Sequence, residues 1–392
     1  MNKRFAIWAY PWDMYDTGVR EAACEIARLG IDTVSVATAY HSGRFLEPRN
    51  PVKKVYFPEA DTVYFDLQES YGTLAPKIST LASQSPLLRP IVEECQRNNM
   101  QVAAWTVSLH NTRLGMEFPQ CTTQNAFGNH NYYNLCPADP MVRSYVVTLA
   151  RDISRIAGIT SIELESLNFM GFDHEFHHEK DGVGLTKLQK FLLSVCFCED
   201  CMALAQKEGI DAQEARSQVR ELLDEAFSRT IPDSGPERLF EEENREFFRR
   251  WPSLYQYLDA RKQPVSTLVS AIRGVVGPST QVYFLDLFGP EDGWMYGIDY
   301  EQIGTECDGI VLCAYDSNAE QVARKVSRAK PMVQKSNLCV GLRLFYPETP
   351  SAEELRNRVQ AALSSGADGI SFYNYGLIPE KRLQWIKGSL VK

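Results

Sequence analysis

Gly309-Ile310-Val311-Leu312-Cys313-Ala314-Tyr315 is a short apolar run, and a polar break carries it into a helix-period stretch over residues 319–328. A strand followed by an amphipathic helix is the repeating unit of a parallel α/β fold, because the crossover helix covers the face of the sheet. Further runs begin at 281, 339 and 369, spaced at about one strand-plus-helix unit, with a second helical stretch over 352–364. The same pattern, followed back toward the N-terminus, adds 5–10, 33–39, 102–109 and 161–165 to the runs 281–287, 309–315, 339–345 and 369–373. Eight units predict a closed (β/α)8 TIM barrel. An open doubly wound sheet is the alternative, but no G-x-G-x-x-G opens a helix after the first strand.

The 392 residues, 44% hydrophobic, suffice for one large barrel core, and the expectation is a single barrel domain over 1–392. A formal net charge of −9 and the lack of a Lys/Arg-rich face argue against nucleic acid as a partner. No run reaches the length of a membrane span and no signal-peptide core follows Met1, so no membrane association and a cytoplasmic location are expected. Ten scattered cysteines suit a reducing compartment. A homo-oligomer is compatible with the sequence, which does not set the oligomeric state.

Extra length falls after strands two, three and four, where the loops of a barrel build its active face. The largest insertion, 167–278, should hold a helix beginning near Gly184, another over 212–229, a Pro/Gly break at 231–236, and a third helix over 237–250.

Ser161-Ile162-Glu163-Leu164-Glu165-Ser166 closes the fourth strand. With a side-chain period of two, Ile162 and Leu164 face the helices, and both acids face the barrel interior. Glu165 should reach the mouth, while Glu163, one layer deeper, needs a partner such as Arg343. Glu165 is the leading catalytic candidate. Asp286 and Asp316, at the ends of strands five and six, are candidate partners, because glycosidic cleavage needs a carboxylic acid and a second carboxylate. Each is equally readable as a helix cap, and Glu163, Glu165 and Arg343 as a buried ion network without chemistry.

Aromatic residues crowd the same ends. Trp8, Tyr10 and Tyr373 are candidate substrate contacts, since flat rings with a polar rim suit the faces of a sugar. Singly, each is better explained by packing. His41, His110, Asn111, His174 and His177 are further candidates for contacting or enclosing substrate. His174, Glu175 and His178 spell H-E-x-x-H, but the surrounding Gly and Asp suggest a loop where a zinc peptidase needs a helix.

Cys196, Cys198 and Cys201 make a C-x-C-x-x-C cluster, and Cys136 stands in Leu135-Cys136-Pro137. Four thiolates fit a closed tetrahedral zinc site, which leaves no position for substrate and is therefore structural. The competing reading is four small buried hydrophobes.

The chain resembles a (β/α)8-barrel glycoside hydrolase, and its cysteine cluster resembles that of the zinc-bearing β-galactosidases of the large clan of retaining barrel glycosidases. The likeness covers the cysteines, the Cys-Pro helix start and the barrel order, well under half of the chain. It implies an acid/base Glu after an Asn at the end of strand four and a nucleophilic Glu at the end of strand seven. Here Leu164 precedes Glu165, and Glu348 lies outside strand seven. Other barrel glycosidases carry a nucleophile on strand four and an acid on strand six, which would match Glu165 with Asp316. A carbohydrate-active hydrolase acting on a small saccharide or glycoside is the resulting expectation, within a divergent family. Two alternatives stay open: a metal-assisted sugar isomerase or hydrolase using the histidines with Glu165, and a carbohydrate-binding barrel without catalysis.

Overall fold

The computed structural model describes residues 3–174, 178–315 and 317–390. Eight parallel strands close into a barrel: β1 (Arg4–Ala9), β2 (Thr33–Tyr40), β3 (Gln101–Val107), β4 (Ile159–Glu165), β5 (Gln281–Asp286), β6 (Gly309–Cys313), β7 (Asn337–Arg343) and β8 (Gly369–Tyr373). Each pairs with its neighbours in chain order, and β8 and β2 both pair with β1, so the sheet has no free edge among these strands. Crossover helices cover it: α1 (Val19–Arg28), α2 (Leu88–Arg97), α3 (Pro140–Ser154), then, after a helical insertion, α9 (Lys262–Val275), α10 (Tyr300–Glu306), α11 (Ala319–Met332) and α12 (Ala352–Ser364).

Strand parity divides the apolar side chains into two layers. Trp8, Tyr10, Ala37, Trp105, Tyr283, Leu285, Val311, Cys313 and Cys339 pack inside the barrel. Ile7, Val36, Ala104, Ile162, Leu164, Phe284, Leu312 and Val340 pack outward against the helices. The lumen takes such large rings because small residues stand opposite them. A Cβ on Gly309 would come within 2.4 Å of the Tyr283 ring, and one on Gly341 within 3.0 Å of the Trp8 indole.

Glu163 lies fully buried in the lower lumen. Its carboxylate accepts from Arg4 Nη2 at 2.5 Å, Ser35 Oγ at 2.9 Å and Trp8 Nε1 at 2.8 Å. Arg4, not Arg343, is therefore its partner. Glu163 is level with Trp105 and Tyr283, whereas Arg343 is level with Tyr373 at the mouth, where it pairs with Glu348 at 2.5 Å and lies over the Tyr315 and Phe345 rings.

The insertion after β4 holds α4 (Lys187–Ser194), α5 (Glu199–Lys207), α6 (Ala212–Phe227), α7 (Ser234–Glu243) and α8 (Pro252–Ala260). Two expectations shift. The first helix begins at Lys187 because Thr186 and Gln189 form a capping box. The expected Pro/Gly break is instead the first turn of α7: Asp233 caps it, and Gly235 and Pro236 sit where a helix tolerates them. Residues 244–250 tighten into a 3-10 helix. Among the described residues no helix is long and apolar enough to cross a membrane.

Glu163→Ala leaves Arg4 in the lumen without its counter-charge. It should lower the unfolding free energy by about 3–5 kcal/mol in chemical denaturation, and the double replacement Arg4→Met with Glu163→Leu should recover most of that loss.

Candidate active site and cysteine centre

Glu165, the last residue of β4, points into the mouth and is half-buried. Its Oε2 accepts from Trp105 Nε1 at 2.5 Å. Burial pushes its carboxyl up to about 7; the Trp105 hydrogen bond opposes that rise, and the nearby Glu163 charge adds to it. Near it lie three phenols, with Tyr10 Oη 3.0 Å from Tyr373 Oη and 3.2 Å from Tyr40 Oη. Burial holds all three well above the usual phenol range or raised from it, so they remain neutral hydrogen-bonding groups. Tyr10 itself is stacked between Trp12 and Trp105, and Trp8 is wholly buried below them. Trp8 and Tyr10 thus pack the lumen under the site; Tyr373 is the partly open member.

Beside Glu165 lies a cavity of about 210 Å³. His41 after β2, His110 after β3 and His174 after β4 form one wall, and Leu285, Leu287 and Phe288 from the end of β5 border it as well. The His41 and His110 rings stack with centroids 4.4 Å apart, and His174 meets His110 edge to face at 4.5 Å. Burial lowers His41 to about 4 and His110 well below the usual histidine range, so both are neutral near pH 7. The β4 loop is fixed from the β3 insertion: Tyr133 Oη donates to Gly171 O at 3.0 Å, and Asn134 Oδ1 accepts from Met170 N at 3.0 Å.

The structure separates the other candidates from this cavity. Asp286 is a correction to the expected mouth position: it shares the outward parity of Phe284, is fully buried, and accepts from Tyr300 Oη at 2.5 Å and from the amides of Phe288 and Gly289. Asn111 caps the short helix Thr112–Glu117 through Leu114 N at 2.8 Å. Asp316 and His177 lie outside the described residues, as does part of the H-E-x-x-H run. Sequence reading missed Asp173, Asn168, Met170 and Ser166, which border the cavity. The only signal available was their position directly after β4; Ser166 adopts φ 53°, a left-handed conformation that a linear pattern does not announce.

Cys136, Cys196, Cys198 and Cys201 are all buried, and among the described residues they are the one group whose ligand atoms meet as a metal site would require. From Cys136 Sγ the other sulfurs lie 3.9, 3.5 and 3.5 Å away. Four sulfurs bound at about 2.3 Å in a tetrahedron stand about 3.8 Å apart, so the residues fit a metal. Cys136 comes from the end of the β3 insertion, Cys198 is the N-cap of α5, and Cys201 lies in its first turn.

No protein-family model matches the chain, and no curated protein sequence does. Solved structures do. A β-galactosidase from the psychrophilic Marinomonas ef1 superposes with TM-score 0.59 at 12% identity, over 98% of this chain and 58% of its own. The α-L-fucosidase isoenzyme 2 from Paenibacillus thiaminolyticus does so with TM-score 0.58 at 12% identity, over 99% and 49%. The catalytic domain of β-amylase from Paenibacillus polymyxa gives TM-score 0.58 at 10% identity, over 99% and 97%. This chain thus spans about half the length of the first two. The fold is a TIM barrel, which the chain shares with these three structures.

Two outcomes follow from this geometry. Because Glu165 holds its proton more tightly in the folded chain than when unfolded, it costs the fold increasing stability as pH rises from about 4.5 to about 7, and a constant amount above that. The melting temperature of Glu165→Gln relative to wild type should climb across this window and then level off. Removing metal with a chelator, or making Cys136→Ser, should lower the melting temperature, and metal analysis should find about one divalent ion per chain in the untreated protein.

Proposed function

We propose that the chain is a glycoside hydrolase acting on a small saccharide or glycoside, with Glu165 as the group that protonates the departing oxygen. The observation that carries this reading is a carboxyl held near neutrality at the barrel mouth, beside a cavity of about 210 Å³. An acid with a pKa near the working pH keeps its proton in the ground state and can surrender it in the transition state. Trp105 occupies Oε2, which leaves Oε1 to carry the proton toward the glycosidic oxygen. The second carboxylate that the chemistry needs is either Asp173, on the cavity wall, or Asp316, just after β6. Asp286 is unsuited to it, since Tyr300 and two amides already bind its oxygens. Neutral His41 and His110 offer hydrogen bonds to sugar hydroxyls without bringing charge to the site. The apolar side chains of Leu285, Leu287 and Phe288 suit the C–H face of the ring.

The four cysteines are read as a structural zinc site, apart from this chemistry, because all four positions of a tetrahedron are filled by protein sulfur. Residues 1–392 are read as one barrel domain, of which 167–278 is an insertion.

Assay against a panel of aryl glycosides tests the reading. Glu165→Gln should lose at least about a hundredfold in turnover with its circular dichroism unchanged, and wild-type kcat/KM should fall as pH rises through about 7. Asp173→Asn and Asp316→Asn made in parallel identify the partner. A wild-type chain that binds saccharide yet turns over no glycoside would favour the binding-protein reading instead.

A further inference from the structure

Arg261 joins α8 to α9 and is 3% exposed. Its Nη1 donates to Met295 O at 2.9 Å, while Nε and Nη2 are buried with no hydrogen-bond partner among the described residues. No carboxylate pairs with it there. A guanidinium does not lose its proton in a protein, and an isolated buried charge is costly, so this cation needs an anion nearby. The cysteine centre is the buried anion at hand: Arg261, Cys201, Tyr257 and Phe169 border one small void of about 10 Å³, and Glu208, which borders it too, is exposed and forms no ion pair with Arg261 among the described residues. Tyr257 Oη also donates to Cys196 O at 2.7 Å, which seats the same helix on the cysteine segment.

A divalent ion in a shell of four thiolates retains two negative charges, and a buried centre of that kind is stabilised by a cation outside the shell. The carbon of the same guanidinium lies 4.5 Å from the centre of the Phe169 ring. Phe169 is fully buried between Asn168 and Met170, both of which border the cavity beside Glu165. Gly297 makes room for the arrangement, since a Cβ there would come within 2.7 Å of Arg261 O and 3.0 Å of the Phe169 ring.

We propose that Arg261 is the buried counter-ion of the metal-loaded cysteine centre and, through its contact with Phe169, ties metal loading to the position of the β4 loop that lines the cavity. It is a positioning residue, and the proposal rests on the metal assignment but not on the glycosidase reading. The chain of residues 1–392 loaded with zinc is titrated with a chromophoric chelator, and cobalt(II) is substituted to read the thiolate ligands directly. Arg261→Met should weaken zinc binding about tenfold or more, as loss of an outer-shell partner does, with Arg261→Lys recovering part of it because the charge is kept. Cobalt spectra of Arg261→Met should still report four sulfur ligands. Amide hydrogen exchange over 166–171 should quicken in Arg261→Met and in metal-free wild type alike. Should Arg261→Met not fold, Arg261→Gln carries the same test. Zinc affinity of the uncharged variant within about twofold of wild type, or exchange at 166–171 indifferent to both the variant and the metal, overturns the proposal. A wild-type chain that takes up no metal overturns it together with the metal assignment, whatever its activity on glycosides.

Discussion

Closing eight parallel strands on themselves forces each one to deliver its side chains alternately to a narrow lumen and to the surrounding helices. Every other property of the site follows from this alternation. The lumen is filled by rings and by glycines that make room for them, as with Trp8 against Gly341. A polar group sent inward must find its partner among the few other inward positions at its own height. Glu163 meets Arg4, Ser35 and Trp8 in this way and is paired with Arg4. Glu165, two residues further along the same face, rises above that network and, among the described residues, accepts one hydrogen bond, from an indole N–H, so burial raises its pKa to about 7. Two identical side chains on one strand thus take opposite electrostatic roles, decided by one step of height in the barrel.

The loops after β2, β3 and β4 turn that strand end into a cavity. Each contributes a histidine, and the edge-to-face contact of His110 with His174 joins the same β3 and β4 loops that Tyr133 and Asn134 fasten together. The cysteine centre fastens the same two insertions at a second place, since Cys136 belongs to the β3 connection and the other three to the β4 insertion. Cavity and cysteine centre are therefore neighbours, linked through Phe169 and Arg261.

The barrel was legible because its signals are local and repeated: apolar runs of strand length, helix periods between them, and spacing of one unit. Parity alone also placed Glu163 and Glu165 inside. The same rule, applied to Phe284 and Asp286, shows why Asp286 faces outward; it was the strand-end position, not the parity, that suggested otherwise. Arg343 was mismatched with Glu163 because parity reports the face of a strand and not the height, which depends on the stagger between strands. Asn111 was drawn into the site by its neighbour His110, although an Asn three residues before Leu114 N is also an ordinary helix cap.

By itself, the sequence determined the fold class, the inward direction of the β4 acids and the grouping of the four cysteines, because period and side-chain chemistry are properties of residues close together or alike in kind. Only the tertiary structure decided which acid is paired and which retains its proton, that three distant histidines share one wall, and that Arg261 lies buried beside the sulfurs. Those facts depend on burial and on distances between segments far apart in the chain, and both arise only when the barrel closes.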